Sequence, residues 1–317
     1  MSNPPEISVI VTIVDGGDTL RACLHALAAQ TGDHAIEVLV PFDHITLDEG
    51  AMAGEFPAIE FIDIGSPFDG LLPGNPLEMH RFYDKRRAEG IARATAPLIG
   101  ILEDCGYPAE TWVDAMISLH ASNREGVIGG AVVQGIDRVR NWANFFCDFS
   151  RYHPPLDVKE PEYVTSTNIV YKREAIFSVR EMWEGKIYQE VMVNWELRDR
   201  GVGTMLSDRA ITISHRKIEN VATVSNEMFN WGRMYGQQRA GQMARAQKLK
   251  LLIGMPALPF LLSFRRFRRQ IGKRKNVGKF VKAFPLIFLL LTCWGLGEFI
   301  GYLETRAGSE KSNETVA

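Results

Sequence analysis

Two carboxylates and a thiol, Glu103-Asp104-Cys105, follow directly on the apolar run Leu98-Ile99-Gly100-Ile101-Leu102, and Gly106 and Pro108 forbid that run from continuing. In an open α/β sheet, ligands bind at the carboxyl ends of the strands, so acidic groups placed there suit a divalent metal or a phosphate ester. A solvated turn capping a strand would use the same residue types, and the rest of the chain must decide between the two. Asp15 lies just after the first apolar run and Asp43 just after the second, Glu190 opens a helical stretch, and His215 ends the last strand-like run. Each has a plain structural reading: a helix N-cap, a charge favoured by a helix dipole, or a strand-end surface residue.

The elements that would position these groups alternate regularly. Ile7 to Val14 reads as a buried strand, Asp15 to Thr19 as a turn, and Leu20 to Gln30 as a helix with Leu20, Cys23, Leu24 and Leu27 on one face. Ile36 to Val40 is a second strand, which makes a βαβ unit with parallel strands and a right-handed crossover. A third strand is expected at Ile59 to Ile64, followed by a Gly/Pro-rich loop from Gly65 to Pro76. Tyr83 to Thr95 reads as a helix whose Lys85, Arg86, Arg87 and Arg93 form a basic, solvated face. Thr111 to Ala121 reads as a helix and Gly126 to Val133 as a strand. Asp137 to Pro161 is aromatic-rich and reads as irregular, with Trp142, Phe145, Phe146, Phe149, Tyr152 and His153 as an acceptor groove or an aromatic core. Ile169 to Tyr171 and Ala210 to Ser214 are the last strands. This alternation implies a doubly wound sheet.

At 317 residues the chain can hold one large α/β domain and an appendage. Its net charge of −2 hides an asymmetry, because nine Lys or Arg and no acid lie between Arg265 and Lys282. Nucleic acid is one partner for such a cluster, but the apolar runs on either side of it favour a membrane. Four scattered cysteines, Cys23, Cys105, Cys147 and Cys293, form neither a disulfide framework nor a zinc module and fit a reducing compartment. No secretory signal pattern is visible, so the bulk of the chain is expected in the cytoplasm.

In motif order and spacing, residues 7 to 215 resemble the family 2 glycosyltransferases of the GT-A fold. The resemblance implies a doubly wound mixed α/β sheet and a donor that is a nucleotide-diphosphate sugar, UDP- or GDP-linked. Asp15 and Asp43 match positions that contact the base or ribose. Asp15 stands where that family usually has Asn, and Val14 stands where it usually has an aromatic. Arg87, in the helix that matches the one preceding the metal motif, is implied to bind the donor, and that motif falls on Glu103-Asp104-Cys105. By resemblance Glu103 and Asp104 bind the donor and, with Cys105 and His215, hold a divalent ion, Mg or Mn. Cys105 replaces the usual last ligand, although such ions prefer oxygen. Glu190 matches the first member of an acidic pair whose second member is the usual base, here Val191, so the role of base on the acceptor hydroxyl passes to Glu190. Direct attack from the opposite face of the sugar inverts the anomeric centre and needs one base.

The remaining chain is expected to divide into a connecting amphipathic helix at 221–248, an interfacial or re-entrant segment with the basic stretch at 249–282, a membrane-spanning helix at 283–303 and a polar tail at 304–317, after a catalytic domain at 1–220. The basic stretch would lie on anionic lipid at the cytoplasmic membrane, with the catalytic domain in the cytoplasm and the tail outside. The acceptor implied is lipid-linked or a cell-envelope glycan, since an enzyme sharing its substrate's surface gains effective concentration. Two rivals are a non-catalytic membrane-anchored scaffold or partner subunit, motivated by Val14, Cys105 and Val191, and a nucleotidyltransferase, which would need a Gly-rich phosphate loop this chain lacks.

Overall fold

Apolar residues dominate the first strand, interrupted only by Ser8 and Thr12, as suits a parallel sheet covered on both faces. In a computed structural model of the chain, which describes residues 3–43, 49–66, 76–156, 161, 163–241 and 243–305, β1 (Ile7–Thr12) is buried at every position. The loop expected at Gly65 to Pro76 lies mostly outside the described residues, and so does the tail beyond Thr305. The chain divides into two compact units. One comprises Met1–Leu72, His80–Gly135 and Tyr152–Arg216, and the other Pro73–Met79, Ile136–Arg151 and Lys217–Ala317.

In chain order β1 is followed by α1 (Gly17–Ala28), β2 (Ile36–Phe42), α2 (Glu49–Glu55), β3 (Glu60–Asp63), α3 (Pro76–Arg93), β4 (Leu98–Glu103), β5 (Gly106–Pro108), α4 (Trp112–Ser122) and β6 (Val127–Gln134). After these come α5 (Val139–Asp148), β7 (Asn168–Lys172), α6 (Arg173–Phe177), α7 (Glu190–Asp199) and β8 (Thr204–Ser214). The last helices are α8 (Val221–Gly241), α9 (Arg245–Gly254), α10 (Leu258–Lys273) and α11 (Val277–Glu304). The strands form one eight-stranded mixed α/β sheet in the order β3-β2-β1-β4-β7-β6-β8-β5. β1 pairs in parallel with β2 and β4, and β7 enters antiparallel between β4 and β6. Leu20, Cys23, Leu24 and Leu27 of α1 are buried as their spacing predicts, each leucine contributing about 1.5–3 kcal/mol on burial.

Three sequence expectations need correction. Gly106 and Pro108 do end β4, but they also form β5, an edge strand antiparallel to β8 where a proline's missing N–H is tolerated. Asp137 to Pro161 is not wholly irregular: Trp142, Phe145, Phe146 and Phe149 follow helical spacing, and α5 buries the first three. The basic face of α3 is not solvated throughout, since Arg86 and Arg87 are only 1% and 3% exposed.

β6 and β8 pair in parallel with a register shift between Gly130 and Ala131. Gly130 faces Ser207 while Ala131 faces Ile211, so β8 bulges by three residues. The buried Asn168 fills the gap, donating from Nδ2 to the carbonyls of Ala131 and Ala210 and accepting from Trp112 Nε1 at 2.8 Å. A Cβ on Gly130 would collide with that amide and with the Ala210 carbonyl. In the second unit α11 is long and apolar enough to cross a membrane by length and composition. α9 and α10 are helical where an interfacial segment was expected, with a single 3-10 turn at Met255–Ala257.

Candidate functional site

Thr12 pairs with Glu103 where β1 and β4 end together, so the loop after β1 and the acidic stretch after β4 meet at the carboxyl edge of the sheet. β4 ends at Glu103 and Asp104 lies in the turn that follows, and the two carboxylates have separate fates. Asp104 is fully buried. Its carboxylate accepts backbone N–H bonds from Val14 at 3.0 Å, Asp15 at 3.2 Å and Gly16 at 2.6 Å. Successive amides converging on one anion form a nest, and Gly16 and Gly17 supply the positive φ angles, 69° and 51°, that the turn into α1 requires. Burial, with Asp15 adding to it, pushes the Asp104 carboxyl up to about 7 against the pull of those three amides. Asp15 therefore does not cap α1 through its side chain, which is exposed; the cap residue is Gly16.

Asp43, just past β2, is 1% exposed and forms a buried ion pair with Arg86. The same guanidinium donates to the Ile13 carbonyl, so the pair ties the ends of β1 and β2 to α3. Neither Asp43 nor Asp104 presents its carboxylate to solvent.

Arg87, one residue further along α3, lies at the centre of a second cluster. Its Nη1 donates to Asp84 Oδ1 at 2.9 Å and its Nη2 to Glu103 Oε1 at 2.8 Å. Burial opposes the guanidinium charge, but Glu103, Asp84 and Glu190 outweigh it and keep Arg87 a cation. The Glu103 side chain remains 19% exposed. Glu190 opens α7, where its Oε2 accepts from the backbone N–H of Ser166 at 2.5 Å and from the Ser166 hydroxyl at 2.6 Å. Burial pushes its carboxyl up to about 6, Ser166 and Arg87 pull it down, and Glu103 adds to the rise. The structure thus brings Arg87, Glu103 and Glu190 into one electrostatic neighbourhood. Tyr188 helps to fix it: its backbone N–H donates to the Asp84 carbonyl at 3.0 Å and its hydroxyl lies 2.6 Å from that of Tyr171. Asn194 donates both to the Tyr171 hydroxyl and to the Glu190 carbonyl.

Cys105 and His215 are neighbours through the backbone, the His215 N–H donating to the Cys105 carbonyl at 2.7 Å. The His215 ring stacks on Tyr107 with centroids 4.3 Å apart, and burial lowers its pKa, which favours the neutral ring. Burial and the neighbouring Glu103 and Asp104 carboxylates hold the Cys105 thiol well above its usual pKa, so it stays protonated, 3.8 Å from Glu103 Oε2. The four residues expected to hold a divalent ion do not fit one in this arrangement. Asp104 is engaged by backbone amides, Glu103 by Arg87, Cys105 offers sulfur where such ions prefer oxygen, and His215 lies against an aromatic ring. Among the described residues, no three His, Cys, Asp or Glu side chains are grouped to hold a metal.

Sequence reasoning missed His80, Asp84 and Ser166. His80 Nε2 lies 3.8 Å from Asp84 Oδ2, and burial with the nearby Arg87 charge lowers its pKa to about 4. The signal was present in the spacing, because His80, Asp84 and Arg87 stand at i, i+4 and i+7 on one helix face. Burial pushes Asp84 up to about 7 against its pairing with Arg87.

No protein-family model matches the sequence. No curated protein matches it. Among solved structures the chain is similar to a mannosyltransferase from Pyrobaculum calidifontis in complex with GDP-Man and Mn2+, at 13% identity over 95% of this chain and 75% of that one, with a TM-score of 0.46.

Proposed function

We propose that this chain is a membrane-associated glycosyltransferase that moves a sugar from a nucleotide-diphosphate sugar to a lipid-linked or cell-envelope glycan acceptor, with inversion. The observation that carries the reading is the Arg87 cluster, which gathers Glu103 and Glu190 beside the carboxyl ends of β1 and β4. The order of motifs along the first 215 residues supports it, since Glu103 and Glu190 match a donor-binding and a base position of the family 2 pattern.

In this reading the acceptor hydroxyl gives its proton to the Glu190 carboxylate as its oxygen bonds to the anomeric carbon. The bond from that carbon to the diphosphate breaks at the same time, and the electron pair leaves with the diphosphate. The partly exposed Glu103 accepts hydrogen bonds from donor hydroxyls, and the Arg87 charge offsets the negative charge gathering nearby. Asp15, exposed at the end of the β1 loop, contacts the base or ribose. Asp104 and Asp43 act behind these groups, the first by tying the β1 loop and the second by holding Arg86.

Release of nucleoside diphosphate from UDP- and GDP-sugars, with a membrane lipid extract as acceptor, tests the proposal. Wild type should turn over at least one donor, and Glu190→Gln should lose about a hundred- to ten-thousandfold in rate. A second reading, a membrane-anchored scaffold, is favoured by the internal engagement of Asp43 and Asp104. Donor binding without turnover in wild type would support that reading instead.

A further inference from the structure

We propose that α10 lies in the plane of an anionic phospholipid surface through an exposed aromatic stripe flanked by arginines, and that α11 stays on the same side of that membrane rather than crossing it. This goes beyond the transfer reaction and does not depend on it.

The stripe consists of Phe260, Phe264, Phe267 and Ile271, which recur at the spacing of one helix face, with Arg265 and Arg268 along its flank. Phe260 is 65% and Phe264 56% exposed. Phe260 and Phe267 touch Phe288 and Phe280 of α11 along one edge, and the rest of the stripe, over about 16 Å of helix, is costly to leave in water. The opposite face of α10 is already used. Arg266 donates to the Cys147 carbonyl at 2.8 Å, Arg269 to the Ser150 hydroxyl and Lys273 to the Arg151 carbonyl, which places three cations at the C-terminal end of α5, where a helix dipole favours them. α10 is thus fixed with its apolar face outward.

Charge selects the occupant. The stretch from Arg265 to Lys282 holds nine cations and no acid; Arg266, Arg269 and Lys273 turn inward and Lys279 pairs with Asp137, which leaves Arg265, Arg268, Arg274, Lys275 and Lys282 exposed to repel a second copy. Anionic headgroups are attracted at about 1 kcal/mol per cation near the surface, while the arginine stems pack along the acyl boundary.

The packing of α11 argues against a crossing. α8 runs parallel to it: Gly232 meets Trp294 and Gly236 meets Glu298, while Phe229 meets Gly297 and Arg233 meets Gly301, each pair advancing by four residues. At these glycines the two backbones approach too closely to admit a Cβ. Beyond that seam, Arg233 and Gln237 hydrogen-bond to Glu304, and Arg239 lies 3.8 Å from the buried Glu298. Carrying α11 across a bilayer would therefore carry Asn230, Arg233 and Gln237 into hydrocarbon or break the seam, and charged groups there are strongly disfavoured. The single span expected at 283–303 gives way, in this inference, to an in-plane attachment.

Flotation of the full chain with phosphatidylglycerol-containing vesicles and with pure phosphatidylcholine vesicles tests the first half. Binding should require the anionic lipid, weaken at high salt and fall about tenfold or more in Phe260→Ser/Phe264→Ser and in Arg265→Ser/Arg268→Ser. Reporters fused before Met1 and after Ala317 test the second half and should respond from the same side of the membrane. Equal flotation with neutral vesicles, variants that float like wild type, association with duplex nucleic acid or self-association in place of vesicle binding, or reporters on opposite sides would each overturn the proposal.

Discussion

At Glu190 burial works against the ionised form that proton abstraction needs. With its carboxyl raised to about 6, the transfer rate should fall as the pH drops through about 6, which a pH-rate profile of the wild type checks. The sign for stability is opposite. A carboxyl raised above its usual value favours folding below that usual value, and the favour is lost as the pH rises through about 6. Glu190→Gln should therefore melt no lower than wild type at about pH 8 while losing transfer, which separates a chemical role from a structural one. Arg87 differs, since it compensates two carboxylates. Arg87→Met leaves Asp84 and Glu103 without their cation, and thermal unfolding should show a loss of about 3–5 kcal/mol.

The elements hold these residues, and their existence was largely legible. β1, α1, β2 and β4 follow from largely apolar runs and a one-sided leucine pattern, and β7 and β8 from short β-branched runs. Less legible was which of two adjacent carboxylates faces a ligand. Glu103-Asp104 reads as one acidic unit in sequence, yet the strand ends between them, and the partners of Asp104 are the backbone amides of Val14, Asp15 and Gly16, which no side-chain pattern announces. Burial of Arg86 and Arg87 was hidden for a similar reason, because a run of three basic residues looks solvated until Asp43 and Glu103 arrive from other strands. Asp104→Ala should cost about 1–3 kcal/mol by leaving the amides of Val14 to Gly16 without their acceptor. Hydrogen exchange should show faster exchange at those three amides, with β6 and β8 unchanged.

At the scale of the whole molecule, the charge asymmetry and the apolar C-terminal run were plain in the sequence, but the partner of α11 was not. Glycines that let α8 and α11 meet carry almost no hydropathy signal, and α8 itself reads only as part of a connecting amphipathic helix. Gly297→Leu should force the two helices apart and lower stability by about 1–3 kcal/mol in thermal unfolding. It should leave donor binding unchanged, because Gly297 belongs to the second unit and the Arg87 cluster to the first. Calorimetric titration of the full chain with UDP- and GDP-sugars reads out whether the Arg87 cluster binds a nucleotide-sugar for transfer. At least one donor should bind saturably, and about tenfold or more weakly to Glu103→Gln, which loses a charge-assisted hydrogen bond. Wild type that binds none of the donors, or Glu103→Gln that binds as tightly as wild type, would contradict donor binding by the cluster.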